Sequence, residues 1–293
     1  MDGHSSLRKI ENADRHTHAL KEDMHLWRET DYYRVTPHSN LGEHADEMID
    51  VVWRIEVQNP VPARWGLIIG DIVSNIRAAL DHALYSIVTT AAPMMDDRSK
   101  RRIQFPIEDT PAEFVNRTKP FRRHLDTRVT ALLEEAQPYR AQSNDALIWL
   151  RALTNRDKHR ALTVTPVLPD RFTFATNAPA ENVHVHDITG KPVVDGDVVA
   201  TARFARTMLA GEELYTDADT RHLEHIEIEG QPGPHPTGEV IEVVRQHVVE
   251  LCAQLLHPIL EPGERRFLIH EINDGVTRLQ RLRDELAAHF DAS

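Results

Sequence analysis

A single cysteine, Cys252, excludes any disulfide within the chain. It lies in an apolar helical run, which marks it as a small core residue and a poor nucleophile. Glycine is scarce, 12 among 293 residues. There is no phosphate-cradling Gly-rich loop and no Gly-x-Ser-x-Gly turn, and hydride-transfer and kinase chemistry are not expected. Aromatic residues make up 6%, so the core must rest on Leu, Ile, Val and Ala. No stretch approaches the ~18 consecutive apolar residues of a membrane span. Met1 to Lys9 carries no apolar secretion segment. No membrane partner and a cytoplasmic location are therefore expected. Basic residues are outnumbered, 34 against 46 acidic, for a formal net charge of −12. A generic nucleic-acid coat works by excess Lys and Arg and is disfavoured. A local basic site is not, because the cations cluster: Arg98 to Arg102, then Arg117 to Arg128, then Arg151 to Arg160.

Apolar periodicity outlines the helices. Residues 6 to 29 read as a polar helix with a thin stripe of Leu7, Ile10, Leu20, Met24 and Trp27. Residues 31 to 40, with Pro37, read as a turn region. Met48, Val51, Val52 and Ile55 repeat at helical spacing, so a second helix is expected over 41 to 57. The strongest signal is 65 to 90, where Ile69, Ile72, Val73, Ile76, Leu80 and Leu84 share one face. A basic connection follows, containing the extended-looking Ile103-Gln104-Phe105-Pro106-Ile107. Thr110 followed by Pro111 predicts an N-cap and a helix start. Further helices are expected over 125 to 135 and 145 to 156, the latter with Ser143 as N-cap, and over 239 to 256 and 263 to 290. Between 161 and 229 the pattern changes to short β-branched segments, at 161–168, 171–176, 183–186, 198–204 and 222–229, separated by turns such as Asp195-Gly196. The expected fold is α+β: a mainly helical bundle with an inserted antiparallel β-sheet. In domain terms this is a helical core over 1–160, a β-rich insertion over 161–237, and a C-terminal helical pair over 238–293 packing on the core.

Two segments concentrate Asn, Arg, Asp and His beside core helices: Asn75-Ile76-Arg77-Ala78-Ala79-Leu80-Asp81-His82 and Asn155-Arg156-Asp157-Lys158-His159-Arg160. At about 100° per residue, Asp71, Asn75 and His82 form one polar edge of their helix, and Arg77 and Asp81 form another. Such edges either satisfy neighbouring loops or line a polar pocket between packed helices. Lys158, His159 and Arg160 suit a helix C-terminus, whereas Asp157 does not and predicts a partner such as Arg77 or Arg156.

Together with Gly70-Asp71 and Phe105-Pro106-Ile107, these segments resemble a pattern shared by a group of bacterial proteins without an assigned activity. The resemblance covers roughly residues 65 to 165. More remotely, Arg77-x4-His82 is similar to the Arg-x4-6-His signature of the HEPN superfamily. Many of its members are helical, dimeric, metal-independent ribonucleases of toxin or defence systems. The resemblance implies a HEPN-like core, RNA as partner, a homodimer and no cofactor or metal. In that reading His82 and His159 are acid–base candidates. Arg77, with Lys158, Arg160 and Arg156, would hold phosphate. Asn75, Asp81, Asn155 and Asp157 would orient them. Two features depart from the pattern. Ala78 stands where catalytic members carry a polar residue. Arg77 and His82 lie about 140° apart on a regular helix, so one site needs a kink or two protomers.

Two other classes stay open. A ferritin-like di-metal centre wants paired Glu-x-x-His motifs on helices; Glu22 to His25 is one, and its only match in spacing, Glu181 to His184, falls in an expected strand. His184-Val185-His186 puts two imidazoles on one strand face, where they could share a metal, although solvent-facing histidines are the simpler account. A binding or assembly module would use the polar clusters to organise the fold or a dimer, with the stripe of Val240, Val244, Val248, Leu251 and Leu255 packing within or between chains.

Overall fold

The computed structural model describes residues 4–30, 32–39, 48–140, 145–160, 162–167, 174–188, 191–209, 213–218, 223–257, 259–260 and 262–291. The candidate cap Ser143, residues 41–47 of the expected second helix, and 161, 168, 171–173 and 222 of the expected strands lie outside them. The elements in chain order are α1 (His4–Arg28), β1 (Tyr33–Ser39), β2 (Met48–Val57), α2 (Arg64–Ala91), α3 (Asp97–Lys100), α4 (Pro111–Thr118), α5 (Thr127–Glu135) and α6 (Asp145–His159). They continue with β3 (Val164–Val167), β4 (Phe174–Thr176), β5 (Val183–Val185), β6 (Val198–Ala205), β7 (Thr216–Ala218), β8 (Leu223–Glu227), β9 (Pro234–Pro236), α7 (Thr237–Leu256) and α8 (Pro262–Asp291). The chain is α+β, and among the described residues no helix is long and apolar enough to cross a membrane.

The chain divides into two units. The helical one comprises Met1–Lys21, Ala63–Thr163 and Ile226–Arg283. At its centre is α2, whose apolar face (Trp65, Ile69, Ile72, Val73, Ile76, Leu80, Leu84) is fully buried. α2 packs against α6 and α7, and those two against each other. Cys252 of α7 is buried in this core, 3.5 Å from the Ser6 hydroxyl. Burial pushes its thiol up to about 12, so it remains protonated. The α4 start follows its sequence signal: Thr110 caps the helix by accepting from the Glu113 N–H, and Pro111 opens the first turn.

Close approach sets two glycines of α2. A Cβ on Gly66 would overlap the backbone carbonyl of Leu162, and one on Gly70 would overlap the carboxylate of Asp157. The chain leaving α6 therefore runs directly over a bare strip of α2. Gly66→Ala gains ~1 kcal/mol of helix propensity, but the obstacle is backbone and cannot turn aside. A net loss of about 1–2 kcal/mol is expected in urea unfolding. Gly70→Ala should lose less, because the Asp157 side chain can swing away.

The second unit comprises Glu22–Pro62, Val164–His225 and Asp284–Ser293. Its main sheet has four antiparallel strands in the order β1-β2-β6-β5. The helix expected over 41 to 57 is a strand from Met48 onward, and the expected turn at 31 to 40 contains β1. Met48, Val51, Val52 and Ile55 match a helical stripe by coincidence. The structure buries the period-two set Ile49, Val51, Trp53 and Ile55, and this β-branched and aromatic content favours a pleated surface. These side chains pack with Val199, Ala200, Ala202 and Phe204 in the core of the unit. The Trp53 indole donates to Thr216 at 2.7 Å.

Candidate functional site

The segment Ile103–Asp109 crosses the helical unit as an extended strap. Ile103, Phe105 and Ile107 are buried, and burying an extended backbone among helices requires partners for its peptide groups. Side chains supply them. The Phe105 N–H donates to Asp81 at 2.8 Å, and Arg77 donates to the Phe105 carbonyl. Gln137 donates to the Pro106 carbonyl at 3.1 Å and accepts from the Glu108 N–H at 3.0 Å. Arg151 donates to the Ile107 carbonyl at 3.1 Å and to Asp109 at 2.7 Å. Arg77 and Asp81, one turn apart on α2, are also 3.1 Å from each other. Burial pushes the Arg77 guanidinium down and the Asp81 carboxyl up, and their mutual attraction opposes each shift.

The opposite polar edge of α2 faces α1. Lys9 donates to Asn75 at 3.3 Å, the Ser6 hydroxyl donates to the Ala79 carbonyl at 2.8 Å, and Ser5 Oγ lies 2.7 Å from His82 Nδ1. Arg77 and His82 are therefore in different surroundings within one chain, and a site using both would need a second copy.

Beneath the strap is a cleft of about 500 Å³. It is lined by Ser74, Arg77 and Asp81 of α2, by the strap and Arg117, and by Arg151, Thr154, Asn155 and Lys158 of α6. The α6 residues recur at helical spacing and so share a face. The two motif segments thus meet here: Arg77 and Asp81 share a cleft with Asn155 and Lys158, while Asp157 lies against Gly70. The expected pairing of Asp157 with Arg77 or Arg156 is not found among the described residues. Arg77 is engaged by Asp81 and the Phe105 carbonyl, and Arg156 donates to the Glu227 carbonyl at 3.3 Å and lies 3.7 Å from its carboxylate. His159 ends α6; its side chain lies outside the described residues.

Asn155 also lines a second depression of about 750 Å³, with Arg156, Arg160 and the Glu227–Pro234 turn. Four cations around the two hollows have acidic partners: Arg77 with Asp81, Arg117 with Glu108, Arg151 with Asp109, and Arg156 with Glu227. Lys158 and Arg160 have no ion pair among the described residues. Their place at the α6 C-terminus favours positive charge.

Sequence reasoning singled out the α2 and α6 residues but missed Gln137, the strap's second reader, and gave Arg151 and Glu108 no role. The signal available was Phe105-Pro106-Ile107 itself: an apolar extended segment with no strand partner demands side-chain donors and acceptors. Comparison with protein-family models, curated proteins and solved structures finds no match to this chain.

Proposed function

We propose that the chain binds the phosphate backbone of RNA along the two adjoining hollows at the α6 C-terminus. The observation that carries this reading is the pair Lys158 and Arg160: they flank the shared Asn155 line of the two hollows and are the cations there left uncompensated among the described residues. Lysine and arginine without a protein counter-ion are the groups that release phosphate counterions on binding. Glu113 and Glu229 on the walls, and the acidity of the whole chain, keep the interaction local and sensitive to salt.

Cleavage is the second reading, and the position of His159 favours it. This residue follows Lys158 in the chain, and an imidazole can act as general acid or base near neutral pH. His82 bonds Ser5 instead. Of the two acid–base candidates, this reading relies on His159.

Fluorescence anisotropy with a labelled single-stranded RNA at stepped salt tests the binding. Lys158→Ala and Arg160→Ala should each weaken binding irrespective of RNA sequence and lower the salt slope by about 0.7. His82→Ala should leave it unchanged. Equal binding by wild type and both cation variants overturns the proposal. On the same RNA, cleavage that persists in EDTA and disappears in His159→Ala, but not in His82→Ala, supports the second reading.

A further inference from the structure

We propose that His184 and His186 form a two-imidazole site for a borderline divalent metal ion, Zn²⁺ or its neighbours Ni²⁺ and Cu²⁺, on the edge of the four-stranded sheet. The proposal is independent of the RNA reading and lies in the other unit of the chain.

The geometry carries it. β5 is an edge strand paired with β6, with His184 opposite Thr201. The backbone at His186 is held to β6 by its N–H, which donates to the Val199 carbonyl at 2.8 Å. Residues two apart on a strand project to the same face. The two rings stand with centres 5.0 Å apart and planes at 80°. Two imidazoles on one tetrahedral zinc, each nitrogen about 2.0–2.1 Å from the metal, place their ring centres about 5 Å apart. The rings therefore already stand at the separation that a shared ion requires.

The hydrogen bonding points the same way. His186 Nε2 is buried and has no hydrogen-bond partner among the described residues. A buried imidazole nitrogen normally finds a donor or acceptor. His184 beside it is exposed, so an ion can enter from solvent by a turn of that ring. Imidazole nitrogens select zinc, nickel and copper over calcium and magnesium, which prefer oxygen. Among the described residues no group of three or more His, Cys, Asp and Glu side chains converges on one point. The site thus supplies two ligands, and water or an external ligand would complete the coordination. That arrangement fits a reversible, exchangeable ion better than a permanent structural one.

Isothermal titration of the full chain, freed of metal by chelation, with zinc chloride tests the proposal. The wild type should show one Zn²⁺ equivalent that weakens at least about tenfold in either His184→Ala or His186→Ala, since loss of even an outer partner of a metal ligand costs that much. The exposed His257→Ala serves as control and should titrate like wild type. His184 lies on the surface, so His184→Asn gives a variant whose folding is not in question. Absence of zinc binding in the wild type, or the same isotherm for wild type and both strand variants, overturns the site.

Discussion

Replacing Asp81 with alanine is expected to lower stability by about 3 kcal/mol. Two losses combine. The Phe105 N–H is left without its acceptor in a buried strap, which alone costs ~1–3 kcal/mol. The Arg77 guanidinium, with 23% of its side chain exposed, also loses its counter-charge. Removing one partner of a buried pair costs ~3–5 kcal/mol, and partial exposure puts the sum near the lower end. Asp81→Asn keeps an oxygen acceptor for both partners and should lose about 1 kcal/mol. Urea midpoints measure the difference, and amide exchange at Phe105 locates it: protection should fall in the alanine variant and persist in the asparagine one. Equal losses in the two variants would show that Asp81 does not hold the strap. pH adds a sign. Burial raises the Asp81 carboxyl above its unfolded value. Between the two values the folded chain binds more protons than the unfolded chain. The associated stability is fully present below the unfolded value and is lost as pH rises through the folded one. The stability difference between wild type and Asp81→Asn should therefore shift in favour of wild type as the pH is lowered through that window.

Arg245→Ala should cost about 4 kcal/mol, the larger of the two effects. Arg245 is 2% exposed and is held by Asp14 of α1, Glu271 of α8 and, at 3.8 Å, Glu242 of its own helix. Burial alone would lower its affinity for a proton, but the bonds to Asp14 and the charges of Glu242 and Glu271 outweigh it and raise it. Alanine leaves these carboxylates in a poorly solvated site with Arg278, 3.0 Å from Glu242, as the cation paired with them among the described residues. Arg245→Lys should be nearly as damaging, because a single ammonium cannot reproduce the forked contact with Asp14. The triple replacement Arg245→Met, Asp14→Leu, Glu271→Leu should recover most of the loss, since apolar groups of similar volume commonly match a buried ion network. Thermal unfolding of the three proteins orders them. A single alanine variant as stable as wild type would mean the network contributes nothing.

How much of this was legible depends on the residue. α2 was readable because its apolar face repeats without interruption from Ile69 to Leu84, and α4 because Thr110 and Pro111 state where a helix begins. β1 and β2 were not. A strand with Met48, Val51, Val52 and Ile55 satisfies a helical template, and Pro37 suggested a turn, although β1 is an edge strand, where a proline without its N–H is tolerated. The separation of Arg77 and Asp81 from His82 followed from helical arithmetic. The neighbour each edge meets did not, because the returns of α1 and of the strap are long-range contacts that no local pattern records. Gln137 and Arg151 escaped for the same reason: their roles exist only once Phe105, Pro106 and Ile107 lie beside them.

The order of segments also bears on synthesis at the ribosome. Each unit is assembled from stretches far apart in the chain. β1 and β2 can pair as soon as they emerge, but β6, the next strand of their sheet, comes only after the whole α2–α6 region. Likewise Asp14 is 231 residues from Arg245. Neither unit can close while its later segments are untranslated, and late closure of distant segments is slow because loop entropy must be met first. The nascent chain therefore carries the open edge of β2 for roughly half of its translation, and an incompletely covered apolar face of α2 until α7 is made, the interval in which a cell would need a chaperone to keep such surfaces apart.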